Sequence, residues 1–200
     1  MAALDPVRRL CVFCGSSPGA SPAYGDAAEE LGRLLVTEGI GLVYGGGKVG
    51  LMGRLADAVL AEGGEVTGVM PEALVAKEIG HPGLNDLRVV GSMRERKALM
   101  ADLSDGFVAL PGGLGTVEEL FEVYTWSQLG LHLKPCALLD VEGYYEGIAT
   151  FLSHAVEERF LREDHREMLI VEGDPRTLIE RLRRFEPAAV VPKWIDREET

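Results

Sequence analysis

Residues 107 to 119 read Phe107-Val-Ala-Leu-Pro-Gly-Gly-Leu-Gly-Thr-Val-Glu-Glu119. A short apolar run ends in a proline and a glycine-rich turn, and a helix is expected to open behind it with Thr116 and two carboxylates, Glu118 and Glu119. Glycines carry no Cβ, so the backbone N–H groups of such a turn can approach an anion closely. The helix adds the positive end of its dipole, and the place therefore suits a phosphate. Two glutamates beside a phosphate cradle repel the phosphate, which asks for another task for them.

The same strand–turn–helix order recurs on both sides of this stretch. Strands are predicted at 10–14, 42–44, 65–70, 87–90, 107–110, 136–139 and 168–171. Between them, helices are predicted from Ser21-Pro22 to Gly39, at about 49–61, at 93–103, behind the opening turn, at 144–159, and from Asp174-Pro175 to about Phe185. Serine or aspartate as cap, with proline in the first helical turn, marks two of these starts. The segment between Pro71 and Leu87 is less regular. Short strands alternating with longer helices make βαβ units, hence a doubly wound, mostly parallel sheet with helices on both faces. The expected architecture is one Rossmann-like α/β domain over 1–186, with 187–200 an extended or disordered tail. In such sheets ligands sit beyond the carboxyl ends of the strands. Three glycine-rich turns fall there: Gly15-Ser16-Ser17, Gly45-Gly46-Gly47 and Pro111-Gly112-Gly113.

Two hundred residues suffice for a sizeable core. A net charge of −12 argues against nucleic-acid or anionic-membrane partners, both of which need a basic face. No apolar run approaches the ~18 residues of a membrane span. The first nine residues lack the pattern of a signal peptide. Three cysteines, an odd number, suggest no disulfide framework and point to the reducing cytoplasm.

Two motifs tempt other readings. Gly45, Gly47 and Gly50 match G-x-G-x-x-G, but the next strand ends in Met70-Pro71 and lacks the acidic residue that would hold a dinucleotide ribose. A dinucleotide oxidoreductase is disfavoured on that ground. Cys11 and Cys14 form C-x-x-C within a strand, where positions three apart point to opposite faces, so they read as core. The histidines, at 81, 132, 154 and 165, show no ligand spacing, and neither a metal nor a cofactor is expected. Ser16 and Ser17 suit either a polar ligand or a plain turn.

Gly91-Ser-Met-Arg-Glu-Arg-Lys97 is more informative. Ser92 and Glu95 make a capping box, which starts a helix at Met93 and puts Arg94, Arg96 and Lys97 in its first two turns. Cations there oppose the helix dipole. A solvated surface tolerates this; a bound anion would make it favourable, and that reading is preferred. Thr116 and Glu119 also fit a capping box, so helix capping stands as the alternative to a catalytic task for Glu119.

Met93-Arg-Glu-Arg-Lys-Ala-Leu-Met100 together with Pro111-Gly-Gly-Leu-Gly-Thr-Val-Glu-Glu119 resembles the LONELY GUY (LOG) family of cytokinin riboside 5′-monophosphate phosphoribohydrolases. The likeness extends to Cys14–Ser17, Tyr44–Gly47, Val69-Met70-Pro71 and Thr125-Trp126, and so to nearly the whole chain. Arg94 departs from the histidine that many members carry there. The resemblance implies hydrolysis of the N-glycosidic bond of N6-modified adenosine 5′-monophosphates, or of AMP itself, releasing free base and ribose 5-phosphate. It implies catalysis by Arg96 and Glu119. It further implies nucleotide binding by Glu78, Lys97, Thr125 and the run Gly112, Gly113, Leu114, Gly115, Thr116, Val117 and Glu118. The turns at Gly15, Ser16 and Gly45, Gly46, Gly47 are further candidates. No cofactor is implied, and a homodimer is. Family members also carry an older lysine decarboxylase label, for which the sequence offers no recognisable Schiff-base site. The competing class is a non-catalytic nucleotide carrier of the same fold. Such a protein would keep the glycine cradle but need not keep both Arg96 and Glu119.

Overall fold

The computed structural model describes residues 7–75 and 80–187. Its strands are β1 (Arg9–Phe13), β2 (Gly41–Tyr44), β3 (Val66–Pro71), β4 (Asp86–Val90), β5 (Gly106–Ala109), β6 (Cys136–Leu139) and β7 (Leu169–Glu172). The helices are α1 (Pro22–Thr37), α2 (Gly50–Ala61), α3 (Glu72–Val75), α4 (Met93–Asp102), α5 (Leu114–Gln128), α6 (Glu146–Glu157), α7 (Glu163–Glu167) and α8 (Pro175–Arg183). The strands form one parallel sheet in the order β4-β3-β2-β1-β5-β6-β7. The chain builds outward from β1 to β4, then returns through α4 to lay β5 on the other side of β1. The β1–β5 junction is therefore the topological switch point, where a doubly wound sheet opens a crevice.

Each central strand is apolar on both faces because helices cover both. On one face Leu10 and Val12 pack with Leu31 and Leu35 of α1, Leu55 of α2 and Leu178 of α8. On the other, Phe13 and Phe107 pack with Met100 of α4, Leu120 and Val123 of α5 and Leu152 of α6. Cys14 belongs to the first core and Cys11 to the second, as the strand reading required. Both are free thiols, and burial pushes both well above the usual cysteine range.

The seven predicted strands and six longer helices are present, with ends shifted by one or two residues. Two short helices, α3 and α7, fall where no periodicity showed, since a single turn of helix carries no repeat. The helix expected over 144–159 starts later, at Glu146, after a 3₁₀ turn at Val141–Gly143. Tyr145, the N-cap, departs from helical geometry (φ −100°, ψ 7°), and Glu142 (φ 52°) and Gly143 (φ 73°) just before the predicted start are left-handed. Of the predicted tail only residue 187 is described, so the rest lies outside the described residues.

Candidate active site

Two of the glycine-rich turns, those after β1 and β5, meet beyond the carboxyl edge, with the start of α2 against them. Gly15 N–H donates to Pro111 O at 3.0 Å, joining the β1 and β5 turns. Leu51 N–H, in the first turn of α2, donates to Gly15 O at 3.0 Å. Gly50 (φ 60°) brings α2 so near that a Cβ there would collide with the Ser16–Ser17 backbone. Between these turns lies a cavity of 240 Å³, lined by Ser16, Ser17, Tyr24, Gly112, Gly113 and Tyr144 among others. A larger hollow of 610 Å³ near α7 and α8 contains none of the predicted site residues.

α5 opens two residues earlier than expected. Gly113 is its N-cap, with no side chain capping it, and Leu114 is its first residue. Thr116 therefore sits inside the helix, buried, with its hydroxyl close beneath Gly112. Glu118 and Glu119 fall in the second turn, and the capping box proposed for Thr116 and Glu119 does not form. Its absence has a plain cause: an N-cap oxygen must stand before the helix, and Gly113 already holds that place.

Glu119 instead accepts from Arg96 Nη1 at 2.7 Å, and Arg96 Nε donates to Val69 O at 3.0 Å. Only about a tenth of either side chain is exposed: 10% for Arg96 and 12% for Glu119. Burial pushes the Glu119 carboxyl above the usual glutamate value, and the Arg96 charge and hydrogen bond oppose that shift without cancelling it. A Cβ on Gly45 would collide with the Arg96 guanidinium, so this glycine makes room for the catalytic candidate. The pair is thus assembled from four elements: the ends of β2 and β3, the first turns of α4, and the second turn of α5.

Beside the pair, Lys97 Nζ binds Glu118 Oε1 and, at 3.1 Å, Glu122 Oε2. Its ammonium is held above the usual lysine value, chiefly by the Glu118 hydrogen bond. Two of the three cations of α4, Arg96 and Lys97, do face anions, but those anions are carboxylates of α5. Their arrangement therefore does not by itself call for a ligand, which corrects the sequence expectation. Ser92 caps α4 as predicted, accepting from Glu95 N–H at 3.1 Å. Glu95 reaches back one residue further than a capping box requires, accepting from Gly91 N–H at 3.0 Å. Arg94 is exposed.

Gly113, Leu114 and Gly115 are exposed, and Cβ atoms on the two glycines would meet nothing within 4 Å. Leu114 is 91% exposed. Val117 is half-buried and packs toward the second core. Thr125 lies two helical turns beyond Glu118 on the same face of α5, exposed, its hydroxyl donating to Phe121 O at 2.6 Å. Gly46 and Gly47 are buried beneath the turn, where Gly46 O accepts from His81 N–H at 2.9 Å. Glu78 lies outside the described residues. Among the described residues no group of three or more side chains suits a metal ion, and no helix is long and apolar enough to cross a membrane.

Sequence reasoning missed Tyr144 and Tyr145. Tyr144 OH donates to Gly112 O at 2.8 Å and Tyr145 OH to Leu110 O at 2.6 Å. Both follow β6, so their position at a carboxyl end was the available signal. It was hidden by their assignment to a helix.

Sheet order and parallel pairing define a Rossmann-like α/β protein, and the switch-point cavity and the buried Arg–Glu pair are its candidate site. Solved structures share this fold. They include a molybdenum cofactor binding protein from Rippkaea orientalis (TM-score 0.65, 22% identity, covering 86% of this chain and 93% of that one). Another is a molybdenum cofactor carrier protein from Chlamydomonas reinhardtii (TM-score 0.64, 22% identity, 88% and 96%). At this identity the likeness concerns the fold alone. A family model described as "possible lysine decarboxylase" matches residues 52–182. The cytokinin riboside 5′-monophosphate phosphoribohydrolase LOG of Oryza sativa subsp. japonica is 48% identical over 180 residues, 90% of this chain and 74% of that protein. LOG1 of Arabidopsis thaliana, which carries the same enzyme name, is also 48% identical over 180 residues, 90% of this chain and 84% of that protein. The chain belongs to the LOG family.

Proposed function

We propose that this protein hydrolyses the N-glycosidic bond of N6-modified adenosine 5′-monophosphates. Water adds across the bond: its hydroxyl goes to C1′, a proton goes to the departing base, and the products are free base and ribose 5-phosphate. Bond cleavage builds positive charge on the ribose, as in sugar hydrolysis generally. A carboxylate near C1′ stabilises that charge and can orient or deprotonate the attacking water. Glu119 suits the task, because its buried carboxylate is fixed by Arg96 and has a raised pKa. Arg96 holds that carboxylate in place and is the candidate to polarise the leaving base. The 5′-phosphate would rest on the open backbone of Gly112 to Gly115, next to Ser16, where the uncapped start of α5 leaves N–H donors free. Remote phosphate binding then helps hold the sugar in a reactive geometry.

The observation that carries this reading is the buried Arg96–Glu119 pair, with Glu119 one helical turn along α5 from an open glycine cradle. A non-catalytic carrier has use for the cradle but none for a desolvated ion pair. The roles of Glu78 near the base and Thr125 at the site's edge rest on the family resemblance, as do a homodimer and a cytoplasmic location. The test is release of free base from N6-isopentenyladenosine 5′-monophosphate, its riboside and AMP. The proposal expects release from a monophosphate and far less from the riboside. No release from any monophosphate removes the enzyme reading, and equal release from the riboside removes the phosphate cradle.

A further inference from the structure

Three successive carbonyls of the β5 turn are each taken by a donor from another element. Leu110 O accepts from Tyr145 OH at 2.6 Å, Pro111 O from Gly15 N–H at 3.0 Å and Gly112 O from Tyr144 OH at 2.8 Å. In a trans peptide the C=O and the following N–H point in opposite directions. Fixing the Pro111 and Gly112 carbonyls therefore fixes the directions of the Gly112 and Gly113 N–H groups. Glycine backbones hold no such direction unaided.

The three anchors differ. The Tyr145 ring is only 1% exposed and its hydroxyl is buried with it. The Gly15 bond joins two backbones. Tyr144 is 43% exposed, and it lines the switch-point cavity together with Gly112 and Gly113. Its ring packs edge-on against Tyr24 at 5.5 Å and Tyr145 at 5.0 Å. The left-handed pair Glu142 and Gly143 delivers it, a backbone state that a non-glycine residue adopts only under constraint. A tyrosine lifted over the cradle by a strained turn, with its hydroxyl on a cradle carbonyl, contributes little to either core.

We propose that Tyr144 is a positioning residue of the anion cradle and sets the preference for phosphorylated over unphosphorylated ligands. The proposal rests on the hydrolase reading for the ligand's identity. The test is calorimetric titration of the full chain and of Tyr144→Phe with ribose 5-phosphate and with adenosine, alongside kcat and KM for an adenosine monophosphate substrate. Phenylalanine keeps the ring packing and removes the hydroxyl. The dissociation constant for ribose 5-phosphate should rise about tenfold, the scale of one lost hydrogen bond that aims a charge-binding donor. Adenosine affinity and melting temperature should stay as in the wild type, and the kinetic loss should appear in KM. An unchanged affinity for ribose 5-phosphate overturns the proposal, as does equal weakening for both ligands with a lowered melting temperature. Wild-type protein that binds ribose 5-phosphate but releases no base overturns the hydrolase reading alone. Wild-type protein that does not bind it overturns the cradle, and this proposal with it.

Discussion

Glu119 is subject to two opposed influences. Burial favours its protonated form, Arg96 favours its ionised form, and burial is the larger. If the ionised carboxylate works, activity falls as pH drops through a value above the ordinary glutamate pKa of 4.5. The linkage to stability has the opposite sense. A carboxyl raised in the folded state binds more protons folded than unfolded, so its contribution is fully present below the unfolded pKa. It is lost as pH rises through the folded one. Thermal melts across this range should show wild type losing stability relative to Glu119→Gln as pH rises, then a constant difference. Arg96→Ala leaves the carboxylate buried without its cation. Breaking such a pair costs roughly 3–5 kcal/mol, and the loss measured by denaturant unfolding should shrink at acid pH, where Glu119 is neutral. The acid limb of any remaining activity should move upward.

At the scale of elements, the glycines divide into those the fold needs and those it does not. A Cβ on Gly112 would collide with Thr116 Oγ1 and come within 2.8 Å of Gly15 N, whereas Cβ atoms on Gly113 and Gly115 meet nothing within 4 Å. Gly112→Ala should lower the melting temperature. Gly113→Ala and Gly115→Ala should leave it nearly unchanged while weakening ribose 5-phosphate binding, as titration would show. The strands and longer helices were legible because alternating apolar runs and Ser-Pro or Asp-Pro starts state them locally. The true start of α5 was not, because Thr-x-x-Glu is a good local cap wherever it occurs, and only the Arg96 contact from α4 assigns Glu119 elsewhere. The Lys97–Glu118–Glu122 cluster joins residues more than twenty positions apart, so no local pattern predicts it. Tyr144 stayed hidden for a similar reason, since its bond to Gly112 depends on the turn at Glu142 and Gly143.

For the whole molecule, strand order is what turns separate motifs into a site. The return of β5 to the side of β1 brings the Gly15 and Gly112 turns into hydrogen-bond contact, although nearly a hundred residues separate them. The two faces of the sheet then hold Cys11, Cys14 and Cys136 in the interior as free thiols. A thiol reagent such as a disulfide chromophore should therefore label none of the three until the protein is unfolded, and rapid labelling of the native state would contradict the described packing. On the proposed function, this topology brings Glu119, fixed by Arg96, to a phosphate cradle for hydrolysis. The most direct test compares wild type and Glu119→Gln for base release from N6-isopentenyladenosine 5′-monophosphate and for binding of the same nucleotide. The variant should bind within a few-fold of wild type while turnover falls by at least about 10²-fold; turnover preserved in Glu119→Gln would contradict a catalytic Glu119.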